Sequence, residues 1–151
     1  MAWWLVTNCV ASVAIRLRDE TVAAALFSLI APYAHLNASV ANSVSLGSAS
    51  LVLGQLATAL GDWDTAEERF DDALKFNIRT RQHVWTARTR LEFAKMLSAR
   101  AKRADRTRAD ELLRLALVHA KDLGLADVEI KATQSSANYD VKAGRRRRVG
   151  P

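Results

Sequence analysis

The chain has 151 residues, half of them hydrophobic and a quarter charged, with a formal net charge of +6. A chain of this length buries roughly two thirds of its unfolded surface, so a core can form without disulfides or metals. The single cysteine, Cys9, excludes an internal disulfide, and we expect it to be a small core residue. Two prolines and six glycines leave long stretches free of helix breakers, which favours a mostly helical protein. Because the lone cysteine gives no reason to expect an oxidising compartment, we expect the protein to be cytoplasmic.

A membrane-spanning or secreted protein is not expected. Residues 21–61 contain no Asp, Glu, Lys or Arg, but Pro32, His35 and several polar residues interrupt them, whereas a span needs about 20 predominantly apolar residues. The apolar stretch Ala2–Ile15 has no basic residue before it and no clear cleavage site, so it is a poor signal peptide.

In chain order, the pattern predicts three helix pairs. The first helices of the pairs are expected at about Trp3–Arg16, Val44–Leu60 and Val84–Arg100. Each is followed by an aspartate, and these aspartates recur at an interval of 43 residues: Asp19, Asp62 and Asp105. Aspartate accepts hydrogen bonds from the free amides at a helix start, so each one is predicted to cap the second helix of its pair.

The second helices share one apolar pattern. Four, eight and eleven residues after each aspartate come a small, a large and a mostly small apolar residue, a spacing that forms one face of a helix. The positions are Ala23, Ala66 and Ala109, then Phe27, Phe70 and Leu113, then Ile30, Ala73 and Ala116. Strand signals are almost absent.

Glycines are expected at close helix contacts and at helix ends. Gly47, Gly54 and Gly61 recur every seven residues, and we expect them on one side of the first helix of the second pair, where a neighbouring helix approaches. Gly124 follows Leu123 at the end of an apolar helix face and is expected to stop that helix in the left-handed conformation.

These patterns predict an all-α protein. Helix pairs of this kind cannot bury both faces alone, so they stack into a short α-solenoid of about three antiparallel pairs. We expect this repeat domain to cover residues 1–139 and a basic, disordered tail to cover 140–151. The body holds 17 basic and 15 acidic residues, while the tail contributes Lys142 and Arg145 to Arg148.

The middle pair resembles a tetratricopeptide repeat. The resemblance rests on Leu53-Gly54 with Ala57, then Gly61-Asp62-Trp63 with Ala66, Phe70 and Ala73. Ser50 and Ile78 stand where that repeat usually has Trp and Pro, and the flanking pairs match less closely. The resemblance implies paired helices whose first members line a concave groove that binds peptides.

The wider chain, about residues 3–134, resembles the C-terminal helical region of large bacterial ATPase regulators of the LuxR and MalT type, or of cyclase–ATPase fusions. That resemblance implies a sensor or interaction arm in a signalling protein. The chain has no P-loop motif and no convincing recognition helix, so ATP binding and sequence-specific DNA binding are not expected.

The tetratricopeptide likeness also implies a binding groove for a protein or peptide. Its positions map onto Asn8 and Ser12; Leu51, Gln55 and Thr58; and Arg88, Leu91, Lys95 and Ser98. The leucines would supply apolar contacts and the polar residues specificity. Self-association through the exposed ends of the stack is a further hypothesis.

No enzyme, cofactor or metal site is predicted. His35, His83 and His119 lie in three separate contexts, and catalytic or metal sites need convergent groups. Acidic residues from Asp62 to Asp72 suit the start of a helix, where the helix dipole favours negative charge.

Two basic segments leave alternatives open. Residues 79–108 hold ten basic and two acidic side chains; they form either a solvated or internally paired face, or a site that draws an acidic partner to Arg88 and Lys95. The tail residues Lys142, Arg145, Arg146, Arg147 and Arg148 form either a solvated tail or a weak, non-specific contact with nucleic acid or acidic surfaces. Nucleic-acid binding is therefore the alternative function.

Overall fold

The computed structural model describes residues 3–40 and 44–148, with side chains for residues 3–39 and 44–137. Within this part, the chain is predominantly helical, which confirms the all-α class. The elements are α1 (Trp3–Leu17), α2 (Glu20–Ile30), a 3-10 turn (Ala31–Tyr33), β1 (Asn37–Val40), β2 (Val44–Ser48), α3 (Ala49–Ala59), α4 (Trp63–Arg79), α5 (His83–Arg100), α6 (Asp105–Leu123) and α7 (Ala126–Arg148).

The chain divides into two compact units, Met1–Trp85 and Thr86–Pro151. The first contains α1 to α4 with the hairpin of β1 and β2, and the second contains most of α5 together with α6 and α7. Among the described residues, no helix combines the length and the apolar character that crossing a bilayer requires.

Two of the three predicted aspartate caps are confirmed. The backbone amide of Val22 donates to Asp19 Oδ1 at 3.0 Å, and that of Thr65 donates to Asp62 Oδ1 at 3.2 Å. Each carboxylate thus satisfies an amide that has no partner within its own helix. α2 and α4 therefore begin where the sequence placed them.

The third cap prediction is wrong. Asp105 is the first residue of α6, after Ala104, and its carboxylate accepts two hydrogen bonds from Arg100 at 2.7 and 2.8 Å. Only four residues separate α5 from α6, and this short connection returns Arg100 to the start of α6. A bidentate arginine–carboxylate pair supplies two charge-assisted hydrogen bonds and a full positive counter-charge, so the side chain turns to Arg100.

The Asp105–Arg100 pair is shielded, with 11% and 7% of the two side chains exposed. The hydrogen bonds from Arg100 hold the pKa of Asp105 below its ordinary value, although burial of the carboxylate opposes the shift. A lowered folded-state pKa adds stability above the unfolded-state pKa, and that stability is lost as the pH falls through the folded-state pKa.

We expect Asp105→Asn to lower the free energy of unfolding at pH 7 by about 3 kcal/mol, because it leaves Arg100 buried without its counter-charge. The variant should also lose stability less steeply than the wild type below about pH 4, the unfolded-state pKa of aspartate. Urea unfolding from pH 2.5 to 7 measures both effects. Asp62→Asn is the control, since asparagine caps as well as aspartate; equal pH dependence in Asp105→Asn and wild type would contradict the role of the pair.

The predicted helix at Val44–Leu60 is wrong at its start, because residues 44–48 form a strand. β2 pairs antiparallel with β1, with an irregular register between Ala38 and Ser39. Ser48 is extended and its hydroxyl accepts from the amide of Ser50 at 3.2 Å. This cap starts α3 at Ala49, so the residues before it are free to form the hairpin.

Polar contacts attach the hairpin to the turn between α4 and α5. The Ser45 hydroxyl lies 2.8 Å from Gln82 Oε1 and 3.1 Å from Asn37 Oδ1, while Gln82 Nε2 donates to Asn37 Oδ1 at 3.3 Å. Gly47 has φ +89°, and a Cβ there would lie 2.7 Å from the ring of Trp85. Only glycine fits between the backbone and this indole.

The three glycines do not share one side of a helix, contrary to the prediction. Gly47 lies in β2, Gly54 lies in α3, and Gly61 lies in the turn before α4 with φ +73°. Gly124 does stop α6 as predicted, with φ 66° and ψ 32°.

The repeated apolar positions are confirmed as core. Eight of the nine predicted side chains are buried and Phe27 is half-buried. At the centre of the middle pair, α3 packs against α4 with the ring of Phe70 over Gly54. A Cβ on Gly54 would lie 3.1 Å from three ring atoms, so the absence of a side chain sets how closely α3 and α4 approach.

We expect Gly54→Ala to lower the free energy of unfolding by about 1 kcal/mol or more, because overpacking a buried contact outweighs the roughly 1 kcal/mol that alanine gains in helix propensity. In a Phe70→Leu background, Gly54→Ala should instead raise stability, since the ring that it meets is gone. Urea unfolding of the four proteins gives the coupling energy, and additive effects would exclude the contact as the cause.

Helix α7 continues to Arg148, which differs from the disordered tail expected for residues 140–151. Asp127 and Glu129 lie in its first turn, and the arginines come at its C-terminal end, where the helix dipole favours positive charge. The side chains of residues 138–151, and all of residues 149–151, lie outside the described part of the chain. The domain boundary at residue 139 stays a prediction.

Candidate interaction surface

The fully buried side chains of helix α1 are small, and most of its large apolar side chains are exposed. Thr7, Ala11 and Ala14 are the buried residues, and they face the rest of the first unit. The α1 stripe is the row of large apolar side chains beside them, with exposed fractions of 41, 56, 40, 53 and 74%: Trp3, Val6, Val10, Val13 and Leu17. Trp4 and Ile15 are half-buried and pack partly against the same core, so the α1 stripe is the large apolar surface of α1 that the core leaves uncovered.

The α1 stripe follows the spacing of a coiled-coil seam. Its members are separated by three, four, three and four residues, the repeat that keeps apolar side chains along one line of a helix facing another helix. Sequence reasoning missed this row because the same stretch also carries a second periodic row, Thr7, Ala11 and Ala14, that serves the core. The separation of small from large residues into two rows is the signal that would have revealed it.

Polar side chains of α1 bond to the helix itself. The Thr7 hydroxyl donates to the Trp3 carbonyl at 2.6 Å, Asn8 Nδ2 to Trp4 at 2.8 Å, and the Ser12 hydroxyl to Asn8 at 2.9 Å. Such bonds to the preceding turn satisfy the polar groups locally. Asn8 and Ser12, two of the predicted groove residues, are thus already hydrogen-bonded within α1.

Aromatic rings mark the N-terminal end of the α1 stripe. The rings of Trp3, Trp4 and Tyr33 meet edge to face, with centroids 4.6 to 6.1 Å apart. Leu29 and Leu36, on either side of Tyr33 in the chain, are also exposed. Tryptophan and tyrosine are among the residues most enriched at the energetic centres of protein interfaces.

The other flank of the stripe is also apolar. Leu5 is exposed, and Cys9 is exposed rather than in the core as predicted. The prediction of Cys9 failed because the buried face of α1 is occupied by residues two positions away on either side, Thr7 and Ala11. Arg16 is the one charged residue within the bounds of α1.

The predicted groove positions on α3 and α5 are largely engaged in the fold. Leu51 and Leu91 are buried and pack in the core, and their contact with a partner in a groove stays a prediction. Thr58 and Ser98 donate to the carbonyls four residues before them at 2.7 Å. Gln55 is half-buried in α3.

Basic residues of the 79–108 segment also have partners in their own unit. Arg88 pairs with Asp127 at 3.1 Å, and Lys95 pairs with Glu92 at 2.8 Å. Burial lowers the pKa of the Arg90 guanidinium, although Glu111 opposes the shift, and Arg108 lies 4.5 Å over the ring of Phe93. These contacts favour internal pairing over a site for an acidic partner at Arg88 and Lys95.

The remaining predicted sites lie apart or outside the description. His35 and His83 are exposed and His119 is half-buried, and the described residues contain no group of three or more His, Cys, Asp or Glu that could hold a metal ion. The side chains of Lys142 and of Arg145, Arg146, Arg147 and Arg148 lie outside the described residues, so their contact with nucleic acid stays a prediction.

Comparison with known proteins found no similarity: no protein-family model, curated protein or solved structure matches the chain.

We expect Cys9 to react fully with a thiol reagent in the native protein, because its side chain is exposed on α1. Ellman's reagent without denaturant should titrate one thiol per chain, at a rate similar to that in urea when the protein is dilute. A thiol that reacts only after unfolding would contradict the orientation of α1.

Proposed function

We propose that this protein is a non-catalytic protein–protein interaction module and that α1 is its docking element. The observation that carries the proposal is the α1 stripe, a continuous row of five large apolar side chains on the outer side of a helix whose inner side is already packed. Contiguous apolar patches of several hundred Å² on a soluble protein commonly mark interaction sites.

The composition of α1 supports this role. Valine is a poorer helix former than alanine, lysine or glutamate, and an exposed valine adds little to the core. Val6, Val10 and Val13 are 56, 40 and 53% exposed, so much of their apolar surface adds nothing to the stability of the isolated fold. A partner that covers them would recover the apolar surface as binding free energy, at about 25 cal/mol per Å² before the costs of association.

The finer architecture that we propose is a tetratricopeptide-like solenoid of three helix pairs. Short turns join α1 to α2, α3 to α4 and α5 to α6, and the repeated small residues are buried as that repeat requires. The hairpin of β1 and β2 is additional, and it lengthens the interval between the first two aspartates. We extend the proposal to a sensor or interaction arm like that of LuxR-type regulators, on the residue resemblance alone.

The test compares two charge substitutions with a matched pair elsewhere. Val6→Glu with Val13→Glu places two carboxylates in the α1 stripe, at side chains that are 56 and 53% exposed. Ile78→Glu with Ile130→Glu adds the same charge on α4 and α7, at two side chains that are each 57% exposed. Urea unfolding should show that both double variants remain folded.

We expect the wild type and the Ile78/Ile130 control to retain the same partners in quantitative affinity capture with mass spectrometry. The Val6/Val13 variant should lose them at least tenfold, because burying an unpaired carboxylate at an interface opposes binding strongly. Equal capture by all three proteins would show that α1 is not the docking element.

A further inference from the structure

We infer that the partner of the α1 stripe is α1 of a second copy, packed antiparallel across a twofold axis. This inference rests on the proposed function and names the occupant of its docking element. Three features of α1 support it: the spacing of the stripe, the near absence of charge and the size of the exposed area.

The spacing specifies a helix as the occupant. Alternation of three and four residues presents a straight seam to a helical partner, whereas a strand or an extended peptide would meet every second residue of its own chain and needs a sheet edge or a groove. The stripe spans two heptads, about 20 Å of helix, which matches the length of α1 itself.

Charge favours an identical partner. The residues that flank a coiled-coil seam normally select the partner through opposite charges. On α1 these flanking positions hold buried Thr7 and Ala14 on one side and Cys9 and Arg16 on the other. The helix has no acidic residue and so offers almost no charge pattern that a different charged helix would complement, whereas a second α1 is equally apolar.

Arg16 selects the antiparallel direction. A parallel pair would bring the two Arg16 side chains to the same end of the seam, where like charges repel. An antiparallel pair separates them and also aligns the two helix dipoles favourably. Two antiparallel registers give four layers each. The one that sets Val10 against Val13 of the second copy and Val6 against Leu17 leaves the Trp3 ring to its contacts with Trp4 and Tyr33.

The exposed area fits a reversible dimer. The five stripe residues and Leu5 together expose the equivalent of about three whole large side chains, on the order of 500 Å². A stable specific interface buries roughly 800 Å² per partner, so the α1 pair is smaller than that. We therefore expect association that depends on protein concentration in the micromolar range and not a permanent dimer.

A membrane surface fits α1 less well. Interfacial helices that lie on a bilayer carry several Lys or Arg residues on the polar face, and α1 has Arg16 alone. Binding to vesicles is accordingly included in the test as an outcome that would overturn the inference.

Sedimentation velocity of the full chain, over about a thousandfold range of concentration, tests the inference. We expect the wild type to shift from monomer to dimer, and Val10→Lys or Val13→Glu alone to weaken the dimer at least tenfold. An equimolar mixture of these two variants should recover most of the association, because the introduced lysine of one copy then faces the introduced glutamate of the other in one layer. Ile78→Glu with Ile130→Glu should dimerise like the wild type.

Each contrary outcome has a definite meaning. A parallel pair requires that a mixture of Val10→Lys with Val10→Glu recover dimerisation. If that mixture does so and the mixture of Val10→Lys with Val13→Glu does not, the antiparallel arrangement is overturned. A wild type that stays monomeric at every concentration would overturn self-pairing. Co-sedimentation of the monomer with phosphatidylcholine–phosphatidylserine vesicles, abolished by Val13→Glu, would overturn it as well. In the monomeric case, loss of captured partners by the Val6/Val13 variant would leave the proposed function standing, whereas unchanged capture would remove both.

Discussion

Close approach of helices, made possible by small side chains, is the constraint on which this protein depends. At the middle pair, the Phe70 ring rests on the bare backbone of Gly54, and any side chain at that position would push α3 from α4. The same use of small residues appears wherever the repeated positions place alanine in the core: Ala23, Ala66, Ala73, Ala109 and Ala116. The fold gains tight packing from residues that contribute little apolar area each, so many such contacts are needed.

This preference for small contact residues explains why α1 has a row of large apolar side chains on its exposed side. Its fully buried contacts with the first unit are made by Thr7, Ala11 and Ala14, and Trp4 and Ile15 pack partly against the same core. Valines and leucines of the same helix are left on the outside, where they weaken solubility unless something covers them. Small residues at the helix contact and large apolar residues on the exposed side of α1 therefore result from the same placement of side chains on this helix.

Local signals predicted much of the fold. The caps at Asp19 and Asp62, the stop at Gly124 and the buried repeat positions all depend on residues within one or two turns, and the sequence contains that information directly. The cap prediction for Asp105 failed because its preferred partner, Arg100, comes from the preceding helix. The capping pattern alone does not reveal a stronger ion pair. The hairpin was not predicted, for a related reason. Ser45 and Asn37 come within hydrogen-bonding distance of Gln82 only when the chain is folded.

Predicting the interaction surface was harder than predicting the core. A family resemblance directed attention to groove positions, yet Leu51 and Leu91 are needed for packing and Asn8 and Ser12 bond to their own helix. The α1 stripe uses the same residue types as a core face, so apolar periodicity alone cannot tell which of two rows on one helix points outward. Side-chain size settles it, because the smaller row can approach a neighbour more closely.

The hairpin also bears on the order in which the first unit assembles. Its link between Asn37 and Gln82 joins residues 45 apart in the chain, whereas the caps and turns of the helices join residues two to five apart. Closing a long loop costs more entropy than closing a turn, and that cost falls once α3 and α4 have paired and brought residue 82 back. The contacts between the hairpin and Gln82 therefore form after that pairing, and an optical label near Ser45 would report this later step while the helices report the earlier ones.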